Sequence, residues 1–348
     1  MVTKIFYMAK QHFRKMILYQ SLFFSLSTLN VSCPIQCFAA DNPEPRYISM
    51  TYISYLTNFP SSARQVECWI PVPSSDERQE VEILGMDSIH GHLTKDPKYQ
   101  NQIYYCHYDL SGLKESDTIK IRITYKIKIW EKSVSEAKNL RALPKVVADN
   151  NLNIYLSSNR LIPLQGPIFA LRQQLNLSDY PIPAARQIYE YLISTMVYNW
   201  RVPGAGHGDA VWACNSKTGD CSDYNSIFIG VCRSAGIPAD HVFGLPLRSK
   251  DGKGEVNDWH CWGRFWVKGP GWITEDASEA AKHPELHEYN FGTLSSIFLT
   301  LSHGRDVVLE PAQKEEALNM FASPYVEIDG RHFDGVKWRV SFTEQAGQ

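Results

Sequence analysis

Cys221 follows Gly219-Asp220 and precedes Tyr224, Ile227, Phe228, Val231, Cys232 and Ala235. Those apolar residues keep the three/four spacing of one helix face, so the thiol falls in the first turn of a helix. Asp220 is its candidate N-cap, and Gly236 and Pro238 are its stop. The first backbone N–H groups of a helix lack partners and its dipole is positive there. A free thiol titrates near ~8.5, and such a seat or a nearby imidazolium lowers it to ~3.5–7.5. The thiolate is the nucleophile, and the same N–H groups can stabilise an oxyanion. Cys232 lies on the buried stripe of this helix and is read as packing.

A thiol needs a proton partner, and His260 opens the strand predicted over His260–Val267. On that strand His260, Trp262, Arg264 and Trp266 share one face, and Cys261 points to the other, toward the core. The imidazole can take the thiol proton and return it to a leaving group. Asp276, at the end of the next strand (Trp272–Asp276), is the candidate that fixes the ring's tautomer. The turn between the strands decides this. A four-residue turn puts Asp276 opposite Gly263, on the wrong face. A three-residue loop or one bulge puts it opposite Trp262, on the face of His260, within reach of a sheet diagonal of about 7–8 Å. We expect the loop or the bulge. Each residue alone has a plainer use: a structural thiol, a core imidazole, a turn-capping carboxylate. Their order on helix, strand and strand is what points to a Cys–His–Asp triad.

Three motifs in order carry a family resemblance. Thr218-Gly219-Asp220-Cys221-Ser222-Asp223-Tyr224-Asn225-Ser226-Ile227-Phe228 is followed by Arg233-Ser234-Ala235-Gly236-Ile237-Pro238-Ala239, then Asp258-Trp259-His260-Cys261-Trp262 and Gly271-Trp272-Ile273-Thr274-Glu275-Asp276-Ala277-Ser278. This stretch resembles the transglutaminase-like superfamily. Gly263 stands where members often carry Ala, and Arg264 replaces an acidic residue. The wider chain, with Trp69-Ile70-Pro71-Val72-Pro73 and Gly304-Arg305-Asp306, resembles exported bacterial members with an N-terminal β domain. The resemblance implies an α+β, papain-like core and gives the triad roles to Cys221, His260 and Asp276. It implies a thioester intermediate on protein or peptide amide substrates. Hydrolysis is preferred over acyl transfer for an exported protein with a polar loop beside the site. Protein crosslinking, and a catalytically silent binding or scaffold protein on the same fold, are the alternatives.

The elements around these residues follow from local pattern. Ile119, Ile121, Ile123, Tyr125, Ile127 and Ile129 alternate with Lys120, Arg122, Thr124, Lys126, Lys128 and Trp130, the period of a half-buried antiparallel strand. With Tyr47–Leu56, Gln65–Val72 and Ile103–Asp109, this predicts a β-sandwich over 46–132 in a structural or substrate-docking role. A linker follows over 133–165, then the catalytic domain with a C-terminal extension over 166–348. A helix is expected over Ala184–Val197 after Pro183, burying Ala185, Ile188, Leu192 and Met196. The Arg248–Asp258 loop is a candidate cover for the groove, Trp200, Trp212, Trp259 and Trp262 are candidate linings, and Tyr198 or Trp200 a candidate oxyanion donor.

Residues 1–40 hold Lys4, Lys10, Arg14 and Lys15 with no acid, an apolar run from Met16 to Leu26, and Cys37-Phe38-Ala39-Ala40 before a polar boundary. This is the pattern of a secretory signal cleaved after Ala39 or Ala40. It predicts a periplasmic or extracellular protein without a membrane span once cleaved, and takes the formal charge from −2 to −6 as four positive charges leave. Six cysteines then remain, and Cys68 and Cys106 are a candidate disulfide pair. There is no CxxC, phosphate-binding glycine loop or dinucleotide fingerprint. His283 and His287 have the i, i+4 spacing of half a zinc site, but Pro284 lies between and no third ligand is placed, so no metal or cofactor is expected. The chain has 348 residues, 44% hydrophobic and 21% charged, which excludes disorder and suggests two domains at about 150 residues each. No block of like charges marks a nucleic-acid footprint.

Overall fold

The computed structural model describes residues 44–86, 91–112, 114, 117–134 and 150–346. The expected signal segment 1–40 and residues 135–149 of the expected linker lie outside the described residues. No helix among the described residues is long and apolar enough to cross a membrane.

The architecture is α+β. Two five-stranded sheets form the sandwich. One runs, in spatial order, Lys253–Val256, Val336–Gln345, Arg46–Leu56, Ile119–Ile129 and Gln79–Met86. The other runs Arg331–His332, Tyr325–Ile328, Gln65–Val72, Gln102–Asp109 and Gly91–Lys95. All neighbours are antiparallel. The alternation read from Ile119 to Ile129 is the cause of its placement: its six odd-numbered residues are buried and none of its even-numbered ones is. Each such side chain contributes about 1.5–3 kcal/mol by leaving water.

The sandwich is not confined to 46–132. Tyr325–Ile328 pairs with Gln65–Val72, and Val336–Gln345 pairs with Arg46–Leu56, so the C-terminal extension completes both sheets. The Arg248–Asp258 loop also departs from its expected role, because Lys253–Val256 adds an edge strand to the first sheet. Pairings across two hundred residues leave no local signature, which is why periodicity alone missed them. Cys68 and Cys106 sit directly opposite one another on adjacent strands, both buried and both free.

The second module is a four-stranded antiparallel sheet in the order Gly271–Glu275, His260–Val267, Ala239–Pro246, Phe298–His303. Its helices are α1 (Pro167–Leu175), α2 (Pro181–Thr195), α3 (Ala210–Ser216), α4 (Cys221–Ser234) and α5 (Ala277–Lys282). Helix α2 starts at Pro181 because two prolines fit its first turn, and Ala185, Ile188, Leu192 and the following Met196 are buried as expected. Helix α4 is the central element. Residues of α1, α2 and α3 share one core cluster with it, so every residue from Cys221 to Arg233 is buried, not one face alone.

The two modules share a core. Leu245 and Leu247, and Leu299 and Leu301, pack into the same cluster as Ile48, Tyr52, Ile121, Ile123 and Val340 of the sandwich. Leu299→Ala should therefore cost about 2–5 kcal/mol of unfolding free energy. Urea unfolding followed by tryptophan fluorescence and by exposure of Cys221 to a thiol reagent should give one coincident transition, shifted together in the variant. Two separated transitions would show that the modules unfold independently.

Candidate active site

The seat of Cys221 is built by two aspartates. Asp220 caps α4: its Oδ1 accepts from the Ser222 N–H at 2.8 Å and from the Ser222 hydroxyl at 2.7 Å. Asp223 closes the capping box, its Oδ2 accepting the Asp220 N–H at 2.9 Å. The same carboxylate also accepts the N–H groups of Gly206 and Gly208 at 2.8 and 2.9 Å. Both glycines have positive φ, 85° and 60°, which lets the 201–209 loop turn its amides inward. Burial still holds Asp223 up at about 6 against those bonds. The start of α4 is thus tied to the loop beside it.

His260 and Asp276 meet because of the turn. The register pairs Val267 with Gly271 and Gly263 with Glu275, so the connection is the three residues Lys268, Gly269 and Pro270. Asp276 then falls level with Trp262 and on the face of His260. His260 Nε2 lies 2.7 Å from Asp276 Oδ2. The other carboxylate oxygen accepts from the Ser278 hydroxyl at 2.8 Å and the Glu279 N–H at 2.9 Å, making Asp276 the N-cap of α5. The Phe298 ring packs against the imidazole at 4.9 Å and Trp262 at 6.3 Å. With Nε2 held by Asp276, Nδ1 is the ring nitrogen left to serve Cys221, whose thiol the ring helps to lower.

The electrostatics follow from these contacts. A hydrogen bond from Cys261 lowers the Cys221 thiol; burial opposes it, His260 adds to it, and the outcome is about 7. Burial disfavours the imidazolium of His260, but the charge and hydrogen bond of Asp276, with Cys221 behind them, outweigh it and hold the ring at about 10. Burial also works against ionised Asp276, and His260 reverses this to keep the carboxyl below its usual range. Between about 7 and about 10, the arrangement is a thiolate–imidazolium pair on a carboxylate.

Several residues at the site had no assigned part in the sequence reading. Asn225, one turn after Cys221, donates from Nδ2 to the carbonyls of Cys221 at 2.8 Å and Cys261 at 3.1 Å, stitching α4 to the strand of His260. Its Oδ1 and the Oε1 of Glu275 are both buried without a hydrogen-bond partner in the heavy-atom geometry. The space between strands here exists because residue 263 is glycine: a Cβ there would lie 2.2 Å from Glu275 Oε1 and 3.2 Å from Asn225 Oδ1. Burial pushes the Glu275 carboxyl well up, which favours its neutral form. Glu279 Oε1 is 4.0 Å from His260 Nε2, and the carboxylate pairs with Lys282 and with Arg248 at 3.2 Å. The Asp276-to-Glu279 spacing, a cap followed by an acid three residues on, was the available signal for Glu279.

The expected linings separate. Trp259 and Met320 pack on the small cluster of Cys221, Phe243, Cys261 and Ala322 that covers the thiol. Trp262 is fully buried beneath His260 with Val242 and Phe298. Trp200 is on the surface, 62% exposed, and Trp212 packs on the helical core, so neither lines the site. Of the Arg248–Asp258 loop, Arg248 reaches it, lying over Phe298 and pairing with Glu279. Tyr198 is half-buried, on a strand that pairs with Gly219, and after burial Cys221 is the next influence on its hydroxyl. His287 gathers with Glu190 and Glu288 around Arg186, while His283 pairs with Glu285, so the i, i+4 histidines do not converge.

Two measurements test this wiring. Iodoacetamide alkylation of Cys221 against pH should rise through about 7, and in His260→Ala the inflection should move up toward ~8.5 or beyond; an unchanged inflection would show that the ring does not act on the thiol. Gly263→Ala should destabilise the fold by about 1–3 kcal/mol through overpacking, while Glu275→Gln, neutral and of similar shape, should cost under about 1.5 kcal/mol. Denaturant titration reads both, and the reverse order would refute a neutral Glu275.

Residues 170–277 match the model of the transglutaminase-like superfamily. An uncharacterised protein of Haemophilus influenzae is 25% identical over 305 residues, covering 77% of this chain and 82% of that one. The crystal structure of a candidate cysteine protease from Cytophaga hutchinsonii aligns with a TM-score of 0.60 at 14% identity, over 88% of this chain and 93% of that one. The periplasmic domain of TgpA from Pseudomonas aeruginosa aligns with a TM-score of 0.35 at 14% identity, over 70% of this chain and 93% of that one. Residues 170–277 thus match the transglutaminase-like superfamily, and the motif order and the fold agree with that match.

Proposed function

We propose that this chain is a thiol hydrolase acting on amide bonds of a protein or peptide, with Cys221, His260 and Asp276 as its triad. The observation that carries the reading is the 2.7 Å bond from Asp276 to His260 Nε2, which leaves Nδ1 to a thiol at a capped helix start. In this mechanism the Cys221 thiolate attacks the amide carbon. The negative charge moves to the carbonyl oxygen, where the Cys221 backbone N–H, in the first turn of α4, is one donor and the Tyr198 hydroxyl the other candidate. His260 gives its Nδ1 proton to the departing amine, and a thioester remains. Water, deprotonated by the same nitrogen, then releases the acid and restores the thiol. Asp276 holds the ring in the tautomer that each step needs and stabilises its charged form.

The same thioester yields to an amine as well as to water, so acyl transfer is the neighbouring outcome. Hydrolysis is our reading because it needs no second substrate site. The leader pattern of residues 1–40 supports action outside the cytoplasm.

The test is a peptide mixture rich in amide side chains, incubated with and without a primary amine and read by mass spectrometry. Cleaved or deamidated products in both conditions support the hydrolase; amine adducts that dominate whenever amine is present would move the assignment to transfer. Cys221→Ala and His260→Ala should each lower the rate by about 10⁴-fold or more. A thiol-directed activity probe should label Cys221 and lose that label in His260→Ala. Equal labelling in both proteins, with no product formed, would favour the scaffold reading.

A further inference from the structure

Cys261 follows His260, and the strand turns its side chain to the opposite face. That face meets α4. There Cys261 is fully buried in one small cluster with Cys221, Phe243 and Ala322. Asn225 holds the two together, donating to both carbonyls while its Nδ2 also lies 3.6 Å from Cys261 Sγ. Both thiols are free. Cys261 is also the largest influence on the Cys221 thiol, ahead of burial and His260. Burial keeps Cys261 itself well above the ordinary thiol range. Two free thiols thus share one buried cluster at the start of α4, one held low and the other kept high. The remaining cysteines differ. Burial leads the upward shift of Cys214 and of Cys232, and Cys106 leads that of Cys68.

We propose that Cys261 is the resolving thiol of Cys221, so that the pair forms a reversible disulfide when a hydroperoxide enters. The proposal rests on reading Cys221 as a reactive thiolate. The thiolate attacks one peroxide oxygen and the O–O bond breaks. Cys221 becomes a sulfenic acid, and the other oxygen leaves as water or an alcohol, taking the proton of the His260 imidazolium. Cys261 then loses its proton and attacks the sulfenic sulfur. The S–S bond forms, the S–O bond breaks, and the hydroxide leaves as water with that proton. Two thiols are oxidised by two electrons and one peroxide is reduced. A dithiol restores both thiols by exchange. While linked, Cys221 cannot form a thioester, and it cannot climb to the irreversible sulfinic acid.

The experiment uses the reduced full chain, about one equivalent of hydrogen peroxide near neutral pH, an iodoacetamide block and peptide mass spectrometry. The expected result is a Cys221–Cys261 linked peptide as the main oxidised product, cleared by dithiothreitol with alkylation of Cys221 restored. Cys261→Ala and Cys261→Ser should trap sulfenic acid with dimedone and raise sulfinic acid at Cys221 by at least about tenfold over wild type. No linked peptide, with sulfinic acid formed equally in all three proteins, overturns the proposal. Should Cys261→Ala fail to fold, the serine variant and the wild-type linkage map still decide it. Alkylation before oxidation separates the two readings. Fast labelling of Cys221 without a link refutes only the resolving role, whereas slow labelling indifferent to His260→Ala refutes the thiolate as well.

Discussion

Asp276 reaches His260 only because three residues join their strands. Side chains alternate along a strand, so one more residue in that connection would send the carboxylate to the far face. The ring would then lose the bond at Nε2, and the opposing charge that lets an imidazolium exist in a nearly closed site. Cys221 and His260 keep only 5% and 7% of their surface exposed, so bulk water cannot do that work. A single count of backbone residues thus fixes tautomer, charge and aim together.

The remaining parts keep that geometry from drifting. Asn225 ties the helix of Cys221 to the strand of His260 through two carbonyls. Asp223 ties the start of the same helix to the glycine amides of the preceding loop. Arg305 reaches the helix from the C-terminal side: it donates to Ser226 Oγ at 3.0 Å, and to the carbonyls of His207 and Gly208 at 3.2 Å each. Its segment continues into Met320 and Ala322, which cover the thiol, and then into the sandwich strands. The sandwich therefore bears on the site by anchoring the chain that closes over it.

Much of this was legible in the sequence because the cause was local. The Asp220 cap, the stripe of α4, the alternation from Ile119 to Ile129 and the parity of the Asp276 turn each depend on a few neighbouring residues. What the sequence hid was decided by distant chain. Burial of the whole of α4 needs three other helices around it. The recruitment of Val336–Gln345 beside Arg46–Leu56 has no nearby trace. Cys261 shows the limit within a single strand. Alternation correctly turned it from His260 and toward the core, but could not say that the core on that side contains Cys221.

The charges at the site also bind it to the stability of the fold, with a definite sign. The His260 pKa is raised from 6.5 to about 10, so its stabilising contribution is full below 6.5 and fades as pH rises through 10. The Cys221 pKa is lowered from 9.0 to about 7, so its contribution is full above 9.0 and fades as pH falls through 7. Asp276, held below its usual range, adds stability that is lost only in acid, as it takes up a proton. Between about 7 and about 10 all three groups are ionised, the contribution of His260 falling with pH while that of Cys221 rises. Removing one partner there leaves a buried charge unanswered, which costs more than the pair contributes. A buried ion pair of this kind is poor support for a fold: an apolar trio of similar volume would hold these strands as well, but under the proposed mechanism it would offer no electron pair to a carbonyl carbon and no proton to the group that leaves it.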